Sequence, residues 1–390
     1  MRAQSITSGP APLLPIASAP RLERARCGIV RVTPWSAWDN PAAIAQWNAV
    51  SEQASEPNPF FESWYLLPAL RALDTAHTVR LLTLEIDGKL AGLIPLAREL
   101  RYYRWPIPHW RGWVHPNCFL GTPLVAQGAE SAFWRALLDW ADSNAGIALF
   151  LHLGPMPLDG PMCRALDEVL GAQSRLAGVV HREDRALLAS ELSPQDYWAQ
   201  ALSGKKRKEL RRQSTRLTEL GEVRIERATD TQGLEQWLDQ FLTLEASGWK
   251  GKAGSALASH SATTALFRES LSGAAALGRL ERLQLTLDAK PIAMLASFLT
   301  PPGAFSYKTA FDEAYARFSP GVLLQRENLE VLTRPEIAWT DSCAAADHPM
   351  IDHLWRERRT VGHLSIAIGS APRRALFARL LRAELVRSPV

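Results

Sequence analysis

The segment Tyr315-Ala-Arg-Phe-Ser-Pro-Gly-Val-Leu-Leu could do chemistry with a phosphate. A strand pattern ends before it, a short loop follows, and Ser-Pro-Gly opens a helix. A helix N-terminus offers unpaired backbone N–H groups and the positive end of the macrodipole, which together make a ready anion site. Arg317 stands where it could add charge, and Gly321 would let a ligand approach the backbone closely. The plain alternative is an ordinary capped helix with proline in its first turn. A second concentration of charge is Lys205–Arg216, with seven basic residues and one acid, Glu209. Lys205, Lys208, Arg212 and Arg216 share one helical face. A phosphate-rich cofactor, tRNA or an anionic membrane surface would suit it, and so would plain solvation.

These segments need elements to hold them. Ser193-Pro194 with Asp196 reads as the capped start of a short helix, and Ser203-Gly204 opens the basic helix, which Gly221 stops. Glu222–Ala228 alternates as a strand. Leu234, Trp237, Leu238, Phe241 and Leu244 mark one helical face, and Gly248 ends that helix. A helix over about Ser261–Leu277 is followed by strands over 280–287, 291–299 and 304–311. A helix from near Pro320 to about Thr333, a strand over 336–342, a short helix near 351–359, a strand near 363–368 and a last helix over about 372–386 complete the chain. A three-strand meander followed by a β-loop-α-β crossover is not the regular alternation of a Rossmann fold.

The first half repeats part of this order. Val79–Ile86, Asp87-Gly88-Lys89 and Leu90–Ala97 form a hairpin that aligns without gaps on Leu283–Leu287, Asp288-Ala289-Lys290 and Pro291 onward. Glu130–Asn144 and Ile147–Leu151 match the later helix–strand pair. The chain reads as a tandem duplication with its junction between about Asp184 and Pro194.

Four segments of the second half resemble the cellulose-biosynthesis CelD-like acetyltransferases, a GNAT-type family related to the Fem peptidoglycan aminoacyltransferases. They are Lys205–Arg216, Ser247-Gly-Trp-Lys-Gly251, Asp312–Gly321 and Asp341-Ser-Cys-Ala344. The loop departs from the usual GNAT pyrophosphate pattern: three residues separate Arg317 from Gly321, and only one glycine is present. The resemblance implies a mixed α/β fold of tandem GNAT-like domains, each a mostly antiparallel sheet flanked by helices. The divisions would be a disordered tail at 1–26, a first domain at 27–190 lacking its own cofactor site, and an acyl-CoA-binding domain at 191–390.

It also implies acetyl-CoA or another acyl-CoA as cosubstrate, held in the gap where two strands splay apart. Arg317, Phe318, Ser319, Gly321 and Val322 would lie under its pyrophosphate, and Lys308 would contact phosphate or an acidic acceptor. Direct transfer to an amine needs a base, a held carbonyl and a proton for the departing thiolate. Asp341 and Glu245 are the expected bases, with His348 and His353 behind them, and Tyr307 is the expected proton donor. Nothing in the first half matches Arg317–Gly321, so that half is expected to shape the acceptor site. The acceptor would be a small amine or an envelope precursor. A Fem-like transferase using aminoacyl-tRNA and a non-catalytic scaffold in envelope assembly stay open beside it.

Composition limits the alternatives. The 390 residues allow two domains, and 47% hydrophobic residues suffice for two cores. Residues 1–185 carry 17 basic and 17 acidic side chains, so the net charge of +4 lies in the second half. The four cysteines are far apart, with no zinc spacing, so reduced thiols, no metal and a cytoplasmic setting are expected. No apolar run is long enough for a membrane span. The arginines of the last helix, around Leu376, Phe377, Leu380 and Leu381, would permit contact with the inner face of a membrane. Most of the 14 tryptophans are expected to be packing residues.

Overall fold

The computed structural model describes residues 28–387. The expected tail, 1–26, lies outside the described residues. The first half runs β1 (Ile29–Pro34), α1 (Pro41–Glu52), α2 (Ser63–Leu73), β2 (Arg80–Ile86), β3 (Lys89–Glu99), β4 (His109–Gly112), β5 (Leu124–Val125), α3 (Glu130–Ser143), β6 (Phe150–Pro157), α4 (Pro161–Ala172) and β7 (Ala177–Leu188). The second runs α5 (Pro194–Ala201), α6 (Gly204–Thr218), β8 (Val223–Ala228), α7 (Leu234–Ser247), α8 (Trp249–Lys252), α9 (Ser261–Ala276), β9 (Leu280–Leu287), β10 (Lys290–Thr300), β11 (Gly303–Phe311), α10 (Pro320–Asn328), β12 (Trp339–Asp341), β13 (Glu357–Ala367) and α11 (Ala371–Arg387).

Local chemistry accounts for many of these starts. Ser193 and Ser203 accept from the amides of Asp196 and Lys206, so both expected serine caps are made. The two matching hairpins turn alike. Asp87 and Gly88 have φ of 52° and 73°, Asp288 and Ala289 have 48° and 63°, and both therefore follow the left-handed path that tight hairpins favour.

All strands but β5 form one path: β1-β2-β3-β4-β6-β13-β7-β12-β11-β10-β9-β8, with β5 paired to β3. The order reads the same from either end once the halves are matched, except at the centre. There the last strands are exchanged. β13 lies against β6 of the first half, β7 lies against β12 of the second, and the two pair with each other through His363↔His181. The expected division at 190/191 follows the chain, and this exchange crosses it. The expected junction at 184–194 begins inside β7. Two further expectations are corrected. No helix forms over 351–359, because the chain turns there and β13 already begins at Glu357; the helix from Pro320 gives way at Leu329 to a 3₁₀ turn.

Helices cover the sheet, and the packing joins the halves. α2 packs on α9, and Phe60 sits among Tyr65, Phe119, Phe298, Phe305 and Tyr307 with ring centroids 5.1–6.3 Å apart. Trp47, Trp134 and Trp355 are fully buried, as packing tryptophans should be.

Candidate active site

β10 and β11 pair out of step at one point. Ala296 faces Lys308 and Ser297 faces Ser306, so Tyr307 is an extra residue in a bulge. On its other side β11 meets β12 in parallel only over Gly303–Phe305. Beyond Phe305 the two strands part, and β11 carries Tyr307 and Lys308 past the end of β12. This is the expected splay.

Lys308 is the polar group on that stretch. Its Nζ donates to Asn117 Oδ1 at 2.7 Å and lies 5.2 Å from the Phe119 ring, both residues of the first half. Burial, aided by the Lys250 ammonium, pulls its pKa down to about 8. His115 is buried beside it, and burial and the Lys308 charge pull that imidazole down to about 3.

Tyr307 is fully enclosed. The single proton of Tyr65 goes to the Asn117 carbonyl at 2.5 Å, so at the 3.2 Å contact between the two hydroxyls Tyr307 is the donor. With its proton committed, and Phe298 stacked at 4.6 Å, it acts as packing for that stretch. Burial lifts its pKa above the usual phenol value.

Asp341 has no exposure and ends β12. Its Oδ1 accepts from the Cys343 amide at 2.8 Å and lies 3.7 Å from Arg185; its Oδ2 lies 3.5 Å from Arg359. This carboxylate is shared by two guanidiniums, whose second anions are Glu183 and Glu56, and being fully buried it has no opening through which to take a proton from a substrate. Glu245 is also committed. It accepts from Lys250 Nζ and from the Leu257 amide, each at 2.8 Å, and so ties α8 and the loop after it to α7. It lines a small cavity of about 40 Å³ with Lys250 and Thr309. Trp249 and Phe311 separate this from a larger cavity of about 690 Å³.

The larger cavity lies over the start of α10. Gly321 and Val322 form its floor, Met350 and Phe311 stand at its sides, and Lys206 and Leu210 of α6 close one wall. A Cβ on Gly321 would come within 3.2 Å of Met350 Sδ, so glycine keeps the floor open. Ser319 caps the helix at φ 52°. Pro320 has no N–H, and those of Val322 and Leu323 both reach the Ser319 carbonyl at 3.0 and 3.1 Å. Among the described residues the Gly321 amide alone in that turn has no backbone acceptor.

Two of the expected loop residues go elsewhere. Phe318 is buried in the core between α10 and the sheet, and the exposed Arg317 lies 4.7 Å from the Phe318 ring. Neither lines the cavity. His348 and His353 do line it. Burial lowers the pKa of His348. Asn117, Phe119, Tyr65, Arg185 and Arg359 were not foreseen. They come from distant segments, and only the exchanged strands and the aromatic junction bring them to β11.

Residues 204–349 match the family model of the acetyltransferase (GNAT) domain. The chain carries a GNAT acetyltransferase domain. Its bulged β11, β12 and the start of α10 fall within the matched residues, while Leu202, Met350, His353 and Leu354 of the cavity lining lie just outside them, and the domain makes the chain an acyltransferase. No curated protein matches it in sequence. Solved structures share its fold over most of their length. A FemX crystal structure has a TM-score of 0.53 at 10% identity, covering 83% of this chain and 95% of that one. A conserved protein of unknown function from Bacteroides thetaiotaomicron VPI-5482 has 0.55 at 11% identity, covering 83% and 97%. The C-terminal domain of a putative lysylphosphatidylglycerol synthetase from Agrobacterium fabrum has 0.51 at 12%, covering 88% and 96%. At these identities the likeness is one of fold.

Proposed function

We propose that the chain is an acyl-CoA-dependent N-acyltransferase that moves an acyl group directly from the thioester to an amine. The observation that carries this is Lys308, half-buried where β11 parts from β12, on the bulged strand whose Phe311 lines the 690 Å³ cavity. The cavity fits a pantetheine arm: its walls are mostly apolar, and Gly321 leaves both space and one free amide. Acyl-CoA would supply the activated carbonyl and the sulfur leaving group.

The chain's own groups then move the proton. A lysine titrating near 8 is partly neutral at neutral to mildly alkaline pH and can accept a proton from the attacking amine. The C–N bond forms, the C–S bond breaks, and the Lys308 ammonium returns that proton to the departing sulfur. Asn117 holds Nζ in place throughout. Asp341, expected as the base, holds Arg185 and Arg359 instead. The CelD-like segments suggest an amine acceptor from envelope polysaccharide or lipid assembly. Among the described residues no helix is long and apolar enough to cross a membrane.

Thiol release from a panel of acyl-CoAs, each with a pool of amine acceptors, tests the reading. Turnover should occur with at least one acyl-CoA, and Gly321→Trp should raise its KM at least about tenfold by filling the cavity floor. No CoA binding by calorimetry and no thiol release with any donor would remove the proposal.

A further inference from the structure

α6 has two sides with different work. Leu210 and Leu217 are buried, and Lys206 and Leu210 form a wall of the donor cavity. The opposite side shows Lys205, Lys208, Arg212 and Arg216 to solvent. None of these four has an acidic partner among the described residues; the one ion pair of the helix is Lys206–Glu209 at 3.4 Å. A solvated helix face ordinarily mixes both signs. Here four cations in register stand on the outer side of a cavity wall, within one helix diameter of its lining.

Inside the cavity the position is reversed. One backbone amide is free at the α10 turn, Arg317 is turned onto Phe318, and most of the lining is apolar. That suits an arm with a single phosphate at its start. The strong positive field lies outside, where a macromolecule delivering such an arm would rest.

We infer that the outer face of α6 docks an acidic carrier protein that presents the acyl group on a 4′-phosphopantetheine arm. This rests on the acyl-CoA-dependent reading above and adds a protein-borne source of the same pantetheine thioester at the same site. Charge complementarity selects the partner's sign, and the apolar cavity beside the face selects its chemistry. A lipid surface fits less well, because the exposed side of α6 between Lys205 and Arg216 offers no apolar residue to insert. RNA would need the same cations, but an apolar cavity is a poor receiver for its terminal nucleotide.

The test compares three donors carrying the same acyl group: an acidic acyl carrier protein, acyl-CoA and acyl-pantetheine. The variant is Lys205→Glu/Lys208→Glu/Arg212→Glu/Arg216→Glu in the full chain, with its fold checked by circular dichroism. We expect kcat/KM with the acylated carrier to fall at least about tenfold in the variant. It should fall similarly in wild type when salt is raised from about 50 to about 300 mM. Turnover of acyl-pantetheine, which has no charge to lose, should change by less than about twofold. A carrier turned over no better than acyl-pantetheine would overturn the inference, as would equal losses with both donors. So would tight, salt-sensitive binding of tRNA or of vesicles with about 30% anionic lipid when the carrier shows none. If no thioester of any kind is turned over, the parent reading fails as well. Turnover of acyl-CoA with no carrier advantage sinks the inference alone.

Discussion

The two halves carry the same strands to different ends. In the first, Ala97 pairs with Arg111, which pairs with His152; in the second, Phe298 pairs with Phe305, which pairs with Asp341. His152 thus stands where Asp341 stands, and two residues on Gly154 and Cys343 both take positive φ, 127° and 52°. Beyond that point the halves part. β11 continues past its partner and carries Lys308 on the stretch that β12 does not pair. β4 stops at Gly112, and its chain turns back, the Gly121 amide bonding the Pro155 carbonyl at 2.7 Å. The first half thus folds its own chain back beside β6, where a cavity of about 270 Å³ lined by Gly112, His152 and Gly154 remains. With the same loop it sends Asn117 and Phe119 into the gap of the other. The first half is thus a second scaffold of like strand order whose loop reaches Lys308 of the other.

Lys308→Met should break this comparison most strongly. It leaves the second half with a gap as inert as the first. If Lys308 carries the proton, kcat should fall about 10²–10⁴-fold. The rise of wild-type kcat/KM with pH through about 8 should vanish, and the melting temperature should hold. The sign follows from the neutral form being the base: activity is low below the pKa of the lysine and levels off above it. A variant that keeps both its rate and its pH profile would take Lys308 out of the chemistry.

The equivalent positions Asp341 and His152 give the next contrast. Asp341→Asn removes the anion that Arg185 and Arg359 share, leaving them Glu183 at 2.9 Å and Glu56 at 3.4 Å, so the loss should stay below the ~3–5 kcal/mol of a fully unpaired buried charge. His152, which burial and His363 hold near 3, is uncharged at neutral pH and stacks on His363 at 5.5 Å. His152→Gln should cost about 1–2 kcal/mol, mainly lost packing. Denaturant titration measures both. If Asp341→Asn is fully stable but slow, Asp341 belongs to the chemistry and not to the ion cluster.

The sequence showed those parts of this arrangement that are set by neighbours. The serine caps, the meander and both hairpins were legible because a few adjacent residues determine them. The exchange of β7 and β13 was not, since it depends on pairing between segments 182 residues apart, such as His181 and His363. In the site, the spacing Arg317–Gly321 located the helix start, while the direction of Arg317 was set by the ring next to it. Lys308 was visible as a cation on the right strand. Its proton chemistry needed Asn117, Lys250 and the depth at which it lies.

The ion cluster also joins the halves, and pH should show it. Arg359 reaches Asp341 of the second half and Glu56 of the first, the latter at 3.4 Å. Burial lifts Glu56 to about 7, and Arg359 offsets only part of that. Its folded pKa is thus above the unfolded value. Between about 4.5 and 7 the folded state holds the extra proton, so this group makes stability fall as pH rises through that window. The full penalty stands above pH 7, at most about 3 kcal/mol. Glu56→Gln should therefore gain on wild type between pH 5 and pH 8 in denaturant titrations. An unchanged difference at the two pH values would mean that Glu56 is ionised in both.

The smallest contrast lies in the two hairpins. They turn alike, but the second left-handed position is Gly88 in one and Ala289 in the other. A Cβ in that conformation costs about 1 kcal/mol. Nothing lies within 4 Å of a Cβ built on Gly88, so conformation alone decides there. Gly88→Ala should lose up to about 1 kcal/mol, and Ala289→Gly should gain a similar amount, less the extra freedom glycine gives the unfolded chain. Opposite signs would show that the strain remains in the second half. If Ala289→Gly is neutral or destabilising, the alanine methyl offsets the strain by its contacts with the cavity beside β8 and β9, which it helps to line.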